Sequence, residues 1–526
     1  MQLRPYQVEA KNAILNEWRS LDKTLLVLTT GLGKTIVFTS VIADRVRDGS
    51  KALILAHREE LLNQAAEKLL KNTGLLAEFE QGNNSSIGTD SSVVIASIQT
   101  MMQDNRLNQF RPDEFSTIVI DEAHHALSAS YQKVLQYFNH AKVLGVTATP
   151  DRSDKKTLAQ YFESVAYEYT MRDAIRKGYL CPIKALMCPV NIDLTDVKES
   201  HGDYQAGDVG RTLEPYLEQI ADTMAEKCQD RKTVVFLPLV EMSKHFANLL
   251  NNRGLKAVEV NGESTGRSDV ISDFENGNYN VICNSILLSE GWDCPAVDCI
   301  VVLRPTKSRA LYAQMIGRGL RLYEGKTHLL LLDFLWMTAK HDLCRPSCLM
   351  GKDAEYSARV DSIVEGSEVP IDILETNEQA ERDVFAERQR ALAEELERQR
   401  HKKARLVDPL QYFYSIDDQD LADYEPVFKW EQEPVTDKQK ELLEKRGINP
   451  DTVECKGKAK KIIDTLLSRQ NAGLSTPKQI RLLERYGLKN VGFWKFDEAT
   501  NVITEIKNNG WKLSYRRVQE LNDEVA

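Results

Sequence analysis

The sequence lacks the features that mark several common classes of protein. None of its apolar runs approaches the roughly 20 residues that a membrane-spanning helix needs. Its first residues, MQLRPYQVEA, lack the apolar segment of a secretory signal. The nine cysteines follow no regular spacing, which argues against a disulfide framework and favours a reducing compartment. We therefore expect a soluble, cytoplasmic protein.

One pair of cysteines is closely spaced. Cys344 and Cys348 lie in HDLCRPSCLM with three residues between them. A structural zinc ion needs about four ligands, and no second pair follows nearby. Two buried or idle thiols are the better interpretation, and no structural zinc is expected.

The sequence also lacks an excess of positive charge. The 526 residues carry a formal net charge of -10. A nucleic-acid partner would therefore have to be bound by a local basic surface. The chain is too long for one hydrophobic core, which predicts three or four domains.

The sequence does contain two series of short apolar segments that alternate with helical stretches. Near-continuous apolar strands between helices are typical of a parallel sheet covered on both faces. The first series is TLLVLTT, KALILAH, SVVIAS, STIVIDE and VLGVTATP; the second is TVVFLP, KAVEVNG, YNVICNS, DCIVVLRP and HLLLLDF. The pattern pauses between Asp151 and Lys232, so the two series predict two separate α/β domains. The functional loops of such domains lie at the carboxyl ends of their strands.

The sequence after Phe334 has a different character. The segment from Asn377 to Leu406 is rich in Glu, Arg, Gln and Ala, and it predicts one long helix with i,i+4 charge pairs. Its apolar residues are too sparse for a sustained heptad seam. A solvated connecting helix is therefore favoured over a coiled coil.

The last segment contains an internal repeat of forty residues. TDKQKELLEKRGIN begins at Thr436 and TPKQIRLLERYGLK at Thr476. Each copy predicts a Thr N-cap, an amphipathic helix, a Gly C-cap, a loop and a second helix, so two small helical modules should pack together. From Thr436 to Phe496 there are fourteen Lys and Arg residues against seven Asp and Glu. With Tyr486 and Trp494 nearby, this suits nucleic-acid contact; a module that packs or binds a protein partner fits equally well.

The segment TTGLGKT, which follows the first predicted strand, is similar to a phosphate-binding loop. In such a loop the glycines let the backbone approach the phosphates, a lysine reaches the β- and γ-phosphates, and a hydroxyl holds Mg²⁺. Leu28 replaces the first glycine of the pattern G-x-x-x-x-G-K-[ST], so the motif alone also fits a simple strand, glycine turn and helix. The candidate residues are Thr30, Gly31, Leu32, Gly33, Lys34 and Thr35.

A second part of the site follows further along the chain. An apolar strand in STIVIDEAHH ends in Asp121 and Glu122. Beside a phosphate loop, Asp121 can hold Mg²⁺ and Glu122 can polarise the attacking water as general base. Two adjacent acids can also be a solvated strand end, but their place between a fully apolar run and His124 disfavours this.

With these motifs in order, the sequence resembles the superfamily 2 helicases and translocases, in the DEAH-containing group near the RadD and XPB repair helicases. The resemblance covers about residues 3–334. Further segments that carry it are LRPYQ, LAHREELLNQ, ASIQT, TATP, SILLSEGWD and QMIGRGLR. It implies two tandem RecA-like parallel-sheet domains, ATP and Mg²⁺ as cofactors, and DNA as the track.

The resemblance also implies a role for individual residues. Arg4 and Gln7 would contact the adenine. Arg318 and Arg321, with Gln314 on the same helix, would reach the γ-phosphate from the second domain. The other implied roles are nucleotide binding for Gly291 and Asp293, nucleic-acid contact for His57, Arg58, Ser97, Gln99, Thr100 and Ser285, and coupling of the two sites for Thr147 and Thr149.

The chain therefore divides into four predicted segments. They are a RecA-like helicase ATP-binding domain (1–165), a RecA-like helicase C-terminal domain (166–340), a connector with the long charged helix (341–435) and the two-copy helical repeat (436–526). RadD-like proteins carry a cysteine-rich zinc module after the core, so the resemblance to RadD ends with the core.

Two functions compete at this point. The first is an ATP-dependent DNA helicase or translocase that acts on branched or partly single-stranded DNA without sequence preference. The alternative is a nucleic-acid-stimulated ATPase subunit that remodels or senses duplex for a partner complex, bound through the repeats. An RNA helicase is less favoured. We expect a nucleoid-associated protein of bacterial or viral origin, with no membrane partner.

Overall fold

The computed structural model divides into two compact units, Met1–Ala380 and Glu381–Ala526. They are described one at a time. The residues that the structure describes are 2–47, 49–148, 157–188, 190, 192–194, 197–200, 203–261, 267–285, 292, 294–334, 343–350, 354–398 and 406–523.

The amino-terminal unit begins with a seven-stranded sheet whose strands run in the order β3-β4-β2-β5-β6-β1-β7. All neighbouring strands pair in parallel. The strands are β1 Lys23–Leu28, β2 Lys51–Ala56, β3 Glu78–Glu80, β4 Val93–Ser97, β5 Phe115–Asp121, β6 Lys142–Thr147 and β7 Ser164–Tyr169. The helices are α1 Pro5–Glu17, α2 Lys34–Val46, α3 Glu59–Thr73, α4 Ile98–Met101, α5 Asp104–Leu107 and α6 Ala129–Tyr137.

A second seven-stranded sheet follows, in the order β12-β13-β11-β14-β15-β8-β16. It is parallel except for β16, which pairs antiparallel with β8. The strands are β8 Ile183–Met187, β11 Thr233–Phe236, β12 Ala257–Val260, β13 Val281–Asn284, β14 Cys299–Val302, β15 Leu329–Asp333 and β16 Ile371–Asp372, beside a separate hairpin of β9 Glu199–Ser200 and β10 Asp203–Tyr204. The helices are α7 Met171–Arg176, α8 Ala206–Leu213, α9 Leu217–Lys227, α10 Val240–Asn251, α11 Arg267–Glu275, α12 Arg309–Gly317 and α13 Ala354–Glu365.

Both sheets are covered on both faces. Consecutive side chains of a strand point to opposite faces, and Leu25 and Leu26 of β1 belong to different buried clusters. Val234 and Val235 of β11 are divided in the same way. The prediction of two α/β domains with parallel sheets is therefore confirmed.

All ten apolar segments identified in the sequence form strands of these sheets. The structure adds β7 and β8 within the interval where the pattern pauses. Since β7 pairs with β1, the first sheet extends to Tyr169, beyond the predicted domain limit at residue 165. The other domain limits stay predictions.

The carboxyl-terminal unit is helical. The long helix α14, Ile373–Arg398, leads into it; a long charged helix is therefore confirmed, although residues 399–405 of the predicted span lie outside the described residues. The remaining helices are α15 Pro409–Ser415, α16 Gln419–Ala422, α17 Asp437–Arg446, α18 Lys456–Asn471, α19 Pro477–Glu484, α20 Phe496–Asn508 and α21 Tyr515–Asp523.

The two repeat copies fold alike. Thr436 and Thr476 each form a capping box, in which the hydroxyl accepts from the backbone N–H three residues later. Gly447 and Gly487 follow the first helix of each copy at φ 90° and 85°, the left-handed conformation that ends helices. The predicted layout of helix, glycine, loop and helix is confirmed.

The glutamine of each capping box also fastens the second helix of its copy. Gln439 Nε2 donates to the carbonyl of Lys456 at 3.1 Å. Gln479 Nε2 donates to the carbonyl of Phe496 at 3.1 Å and to Thr500 Oγ1 at 2.9 Å. In each copy one glutamine side chain, half-buried at position 439 and buried at position 479, thus caps the first helix and holds the first turn of the next.

We expect Gln479→Ala to destabilise the packing of α19 against α20 by about 2 kcal/mol, because a net hydrogen bond contributes about 1 kcal/mol. Amide hydrogen exchange of peptides from these two helices measures the effect. The control is Gln432→Ala, at an exposed position of the same unit, which should cost no more than about 0.5 kcal/mol. Equal protection in the two variants would contradict this role of Gln479.

Candidate functional site

The candidate phosphate loop connects β1 to α2. Its backbone turns through Gly31 and Gly33 at φ 92° and 78°, values that favour glycine. A Cβ at Gly33 would lie 2.9 Å from Gln7 Nε2, and one at Gly31 would lie 3.2 Å from Leu180 Cδ2. Both positions therefore require glycine for conformation and for space. Helix α2 begins directly afterwards at Lys34, so its free N–H groups face the loop.

Leu28, which replaces the first glycine of the phosphate-loop pattern, is the last residue of β1 and is fully buried. The missing glycine therefore falls in the strand and not in the turn. The turn keeps both of the glycines that its backbone needs.

The motif LRPYQ, at the start of α1, forms hydrogen bonds to the same phosphate loop. Gln7 Nε2 and Tyr6 Oη both donate to the carbonyl of Leu32, at 3.0 and 2.8 Å. Gln7 Oε1 accepts from the backbone N–H of Arg4 at 3.0 Å. The Gln7 amide thus ties the loop to the start of α1, and its contact with adenine stays a prediction.

A cluster of tyrosines that sequence analysis missed supports this motif. Tyr6 stacks on Tyr169 with ring centroids 5.1 Å apart and lies edge-on to Tyr179 at 4.7 Å. The Arg4 guanidinium carbon lies 5.9 Å from the Tyr179 ring centroid. Tyr169 and Tyr179 come from the interval in which the sequence showed no motif, so only the folded chain reveals them.

The two adjacent acids lie at the carboxyl end of β5. The side chain of Lys34 approaches them, with its Nζ 3.4 Å from Glu122 Oε1. The Glu122 N–H donates to Asp121 Oδ1 at 3.1 Å. Glu122 has φ 53°, in the left-handed region, which is uncommon for a residue other than glycine and concentrates at functional sites. The structure thus brings Lys34, Asp121 and Glu122 together.

The electrostatics of this group favour the binding of a cation. Burial raises the pKa of Asp121 to about 6, and the Glu122 carboxylate acts in the same direction. Glu122 Oε2 is buried and has no hydrogen-bond partner among the described residues. These oxygens fit a bound Mg²⁺–nucleotide: Thr35 and Asp121 would hold the metal, which would neutralise phosphate charge.

The second domain reaches the loop through the end of α12 and the residues after it. The prediction that Arg318 and Arg321 lie on one helix with Gln314 is wrong, because α12 ends at Gly317, Arg318 is its C-cap residue and Arg321 lies beyond the helix. A Cβ at Gly317 would lie only 2.6 Å from Thr30 Cβ, so the Thr30 side chain packs against a position where only glycine fits. The Arg321 side chain lies along the loop, with Cγ 3.6 Å from the position of a Cβ at Gly31. Burial lowers the pKa of Arg321 to about 10, because an enclosed cation loses its hydration.

The remaining candidate residues of the second domain are Arg318, Gln314, Gly291 and Asp293. Arg318 donates a hydrogen bond to the carbonyl of Trp292. Gln314 is a buried residue of α12. Gly291 and Asp293 lie outside the described residues.

A further cation in this cleft was missed by sequence analysis. Burial lowers the pKa of Lys68, and Arg321 acts in the same direction while Asp121 opposes it. Lys68 lies on α3 one turn before Asn72, whose Nδ2 donates to the carbonyl of Ile36 in α2 at 3.2 Å. The i,i+4 spacing places Lys68 and Asn72 on the same side of α3, but nothing in the sequence indicates what that side faces.

Several predicted nucleic-acid contacts have bonds within the first domain. Gln99 Nε2 donates to the carbonyl of His57 at 2.9 Å. The Ser97 hydroxyl donates to Thr100 Oγ1 at 2.9 Å, and that same oxygen accepts from the N–H of Gly82 at 3.0 Å. Ser97 and Thr100 are buried, so their contact with nucleic acid stays a prediction.

Arg58 and Ser285 are half-buried at the ends of strands. Arg58 is the N-cap residue of α3. The backbone carbonyl of Ser285 accepts from Arg304 Nη1 at 3.2 Å. Both side chains are partly accessible, and nucleic-acid contact is their proposed role.

The candidate coupling residue Thr147 ends β6, the strand between β1 and β5. Thr147 pairs with Val27 of β1, and the preceding Val146 pairs with Asp121. It therefore lies beside both halves of the nucleotide site. Thr149 lies outside the described residues.

Two family models match the chain. Residues 1–152 match the type III restriction enzyme res subunit, and residues 215–323 match the helicase conserved C-terminal domain. IRC3 of Saccharomyces cerevisiae, provisionally named an ATP-dependent helicase, is 33% identical over 66% of this chain and 53% of its own length. The DNA 3'-5' translocase XPB2 of Sulfurisphaera tokodaii is 22% identical over 61% of this chain and 79% of its own.

Two segments of the chain are thus similar to superfamily 2 helicases, and the translocase XPB2 is among the relatives.

This chain spans about half the length of its yeast relative. A fragment assigned to the HsdR subunit of a type I restriction enzyme from Vibrio vulnificus shares the fold: the TM-score is 0.53 at 23% identity, over 66% of this chain and 67% of that one. The RecA-like arrangement of both sheets is thus confirmed. The resemblance to RadD stays a prediction.

Within the described ranges, no helix of this chain is long and apolar enough to cross a membrane. The expected cytoplasmic, nucleoid-associated location stays a prediction.

We expect Gly317→Ala to slow ATP turnover by at least about tenfold, because a misplacement of 1 Å in a catalytic contact can cost about 100-fold. The added methyl group would press on Thr30 and hold Arg321 away from Gly31. ADP binding, if confined to the first domain, should change little. Steady-state kinetics and ADP titration measure both, with Gly207→Ala as control because its Cβ meets nothing within 4 Å. Unchanged turnover would show that this close approach is dispensable.

Proposed function

We propose that this protein hydrolyses ATP with Mg²⁺ and uses the reaction to move along, or unwind, branched or partly single-stranded DNA. The observation that carries the proposal is that Arg321 of the second domain lies against Gly31 of the phosphate loop. A nucleotide bound at this loop would contact both domains. Hydrolysis of that nucleotide would remove a contact that joins the two domains.

The chemistry follows from the first domain. Lys34 lies 3.4 Å from Glu122 Oε1, and an arriving γ-phosphate competes for this lysine. Once Lys34 binds phosphate, Glu122 is free to accept a proton from the attacking water. Arg321, with Arg318 nearby, stabilises the charge that develops in the transition state, an effect of about 10³ to 10⁵ in rate.

The cycle converts this chemistry into motion. ATP favours the closed arrangement because it bonds both domains, and products favour opening. The proposed nucleic-acid contacts follow parallel strands of the two sheets: Arg58 after β2 and Ser285 after β13. Contacts of this kind with phosphate and sugar carry no sequence information, so binding should tolerate any sequence.

DNA is proposed as the track because the archaeal relative is named a DNA translocase. The alternative is an ATPase subunit that senses or remodels duplex for a partner complex without separating strands. The carboxyl-terminal unit supports this alternative, since it has a hydrophobic core of its own and can serve as a docking module.

ATPase stimulation by a panel of single-stranded DNA, duplex, fork, junction and RNA, measured beside strand displacement, tests the proposal. Stimulation by DNA with displacement of a strand from forks or junctions supports a helicase. Stimulation without displacement supports a translocase or the remodelling subunit. Stimulation by RNA alone, or ATPase activity indifferent to nucleic acid, would overturn the proposal.

We expect Glu122→Gln to keep ATP and DNA binding while lowering kcat by about 10² to 10⁴, the usual contribution of a general base. ATP titration, DNA titration and steady-state turnover measure the three quantities. Glu59→Gln, at an exposed position of α3, removes the same charge and serves as the control. An unchanged kcat in the Glu122 variant would remove this residue from the base role.

The basic repeats are proposed as a second DNA contact. Part of their charge lies over aromatic rings of the preceding segment: Lys460 Nζ lies 5.2 Å from the Trp430 ring centroid, and Lys461 Nζ lies 5.2 Å from that of Tyr424. Arg485 and Lys489 of the second copy are exposed. They offer the more accessible surface.

We expect the double variant Arg485→Gln and Lys489→Gln to bind single-stranded DNA more weakly, with a salt dependence shallower by roughly 0.7 per lost phosphate contact. Substitution is preferable to truncation at Thr436, because Leu443 and Ile480 share a core with Tyr412. Arg19→Gln with Lys256→Gln, both exposed, is the control. Unaltered affinity and slope would assign this surface to protein contacts.

A further inference from the structure

Three histidine rings connect the segment after β2 with the proposed general base. The ring centroids of His57 and His125 are 4.3 Å apart, and those of His125 and His124 are 4.1 Å apart. His124 Nδ1 lies 3.7 Å from Glu122 Oε2. The chain of contacts is continuous from the proposed nucleic-acid face to the nucleotide site.

The His57 end of this series of rings lies next to the proposed nucleic-acid contacts. His57 directly precedes Arg58, the N-cap residue of α3. Its carbonyl accepts from Gln99 Nε2 at 2.9 Å. A nucleic acid that binds Arg58 or Gln99 and displaces them would therefore also move His57.

The middle ring has little freedom of its own. Besides its two histidine neighbours, His125 is stacked on Tyr131 with centroids 6.3 Å apart and planes at 14°. Tyr131 is almost completely buried. A displacement of His57 is therefore passed to His124 and not absorbed by rotation of His125.

The far end of the chain meets an unsatisfied group. Glu122 Oε2 is buried without a hydrogen-bond partner among the described residues, while Oε1 lies 3.4 Å from Lys34. The separation of 3.7 Å from His124 Nδ1 is too long for a hydrogen bond, and a shift of roughly 1 Å would make one. Such a bond would orient the carboxylate away from Lys34.

We infer that His125 is a positioning residue that couples nucleic-acid binding to Glu122. Binding moves His57, the packed rings transmit the displacement, and His124 hydrogen-bonds Glu122 Oε2 so that the carboxylate is aimed at the attacking water. This inference rests on the proposed function. It adds a route separate from β6 and Thr147.

The test compares His125→Ala with His125→Phe in the full chain. The readouts are the ratio of ATP turnover with and without a single-stranded DNA oligonucleotide, and the affinity for that oligonucleotide when fluorescently labelled. His125→Ala should lower the ratio by about 5- to 150-fold, the usual range of coupling between sites, with little change in DNA affinity. His125→Phe should keep most of the ratio, because a ring still contacts its neighbours. His140→Ala, at an exposed position of the same domain, is the control.

Each other outcome is decisive. A normal ratio in His125→Ala would overturn the inference, and so would a phenylalanine variant as uncoupled as the alanine variant. A large loss of DNA affinity in His125→Ala would make the residue part of the binding surface instead. If wild-type turnover ignores every nucleic acid in the panel, the proposed function fails, which is a different result from a stimulated wild type with an equally stimulated variant.

Discussion

The contact between the end of α12 and the phosphate loop is the constraint on which the rest of the nucleotide site depends. Thr30 and Gly31 of one domain meet Gly317 and Arg321 of the other, and the distance between Thr30 and Gly317 leaves no room for a side chain at position 317. The Thr30 side chain packs directly on the glycine, so a larger residue at position 317 would push the two domains apart. The same packing keeps the Arg321 side chain next to Gly31.

Cations from both domains lie near the phosphate loop. Lys34 Nζ lies 3.4 Å from Glu122 Oε1, and burial lowers the pKa values of Lys68 and Arg321. A triphosphate bound here would add negative charge beside these cations, so its binding and the approach of the two domains would stabilise each other. The buried Glu122 oxygen without a partner among the described residues and the raised pKa of Asp121 favour a bound cation as well, which fits a nucleotide that arrives with Mg²⁺.

Most of the fold could be read from the sequence, because fully buried parallel strands are continuous apolar runs. The exceptions are instructive. β7 is an edge strand with mostly half-buried residues, and β8 is interrupted by Lys184, so neither has the expected pattern. The phosphate loop and the acid pair were found because their chemistry requires fixed spacing. Tyr179, Lys68 and His125 were missed because their partners are distant in sequence and only folding brings them together.

The capping glutamines of the carboxyl-terminal unit bear on how this region could have arisen. Each forty-residue copy contains the side chain that locks its own pair of helices, Gln439 in one and Gln479 in the other. A duplicated stretch of gene would therefore bring its internal fastening with it. Repeat arrays grow by such duplication, but here the two copies also share one core with Tyr412, so loss of either copy would require its neighbours to repack.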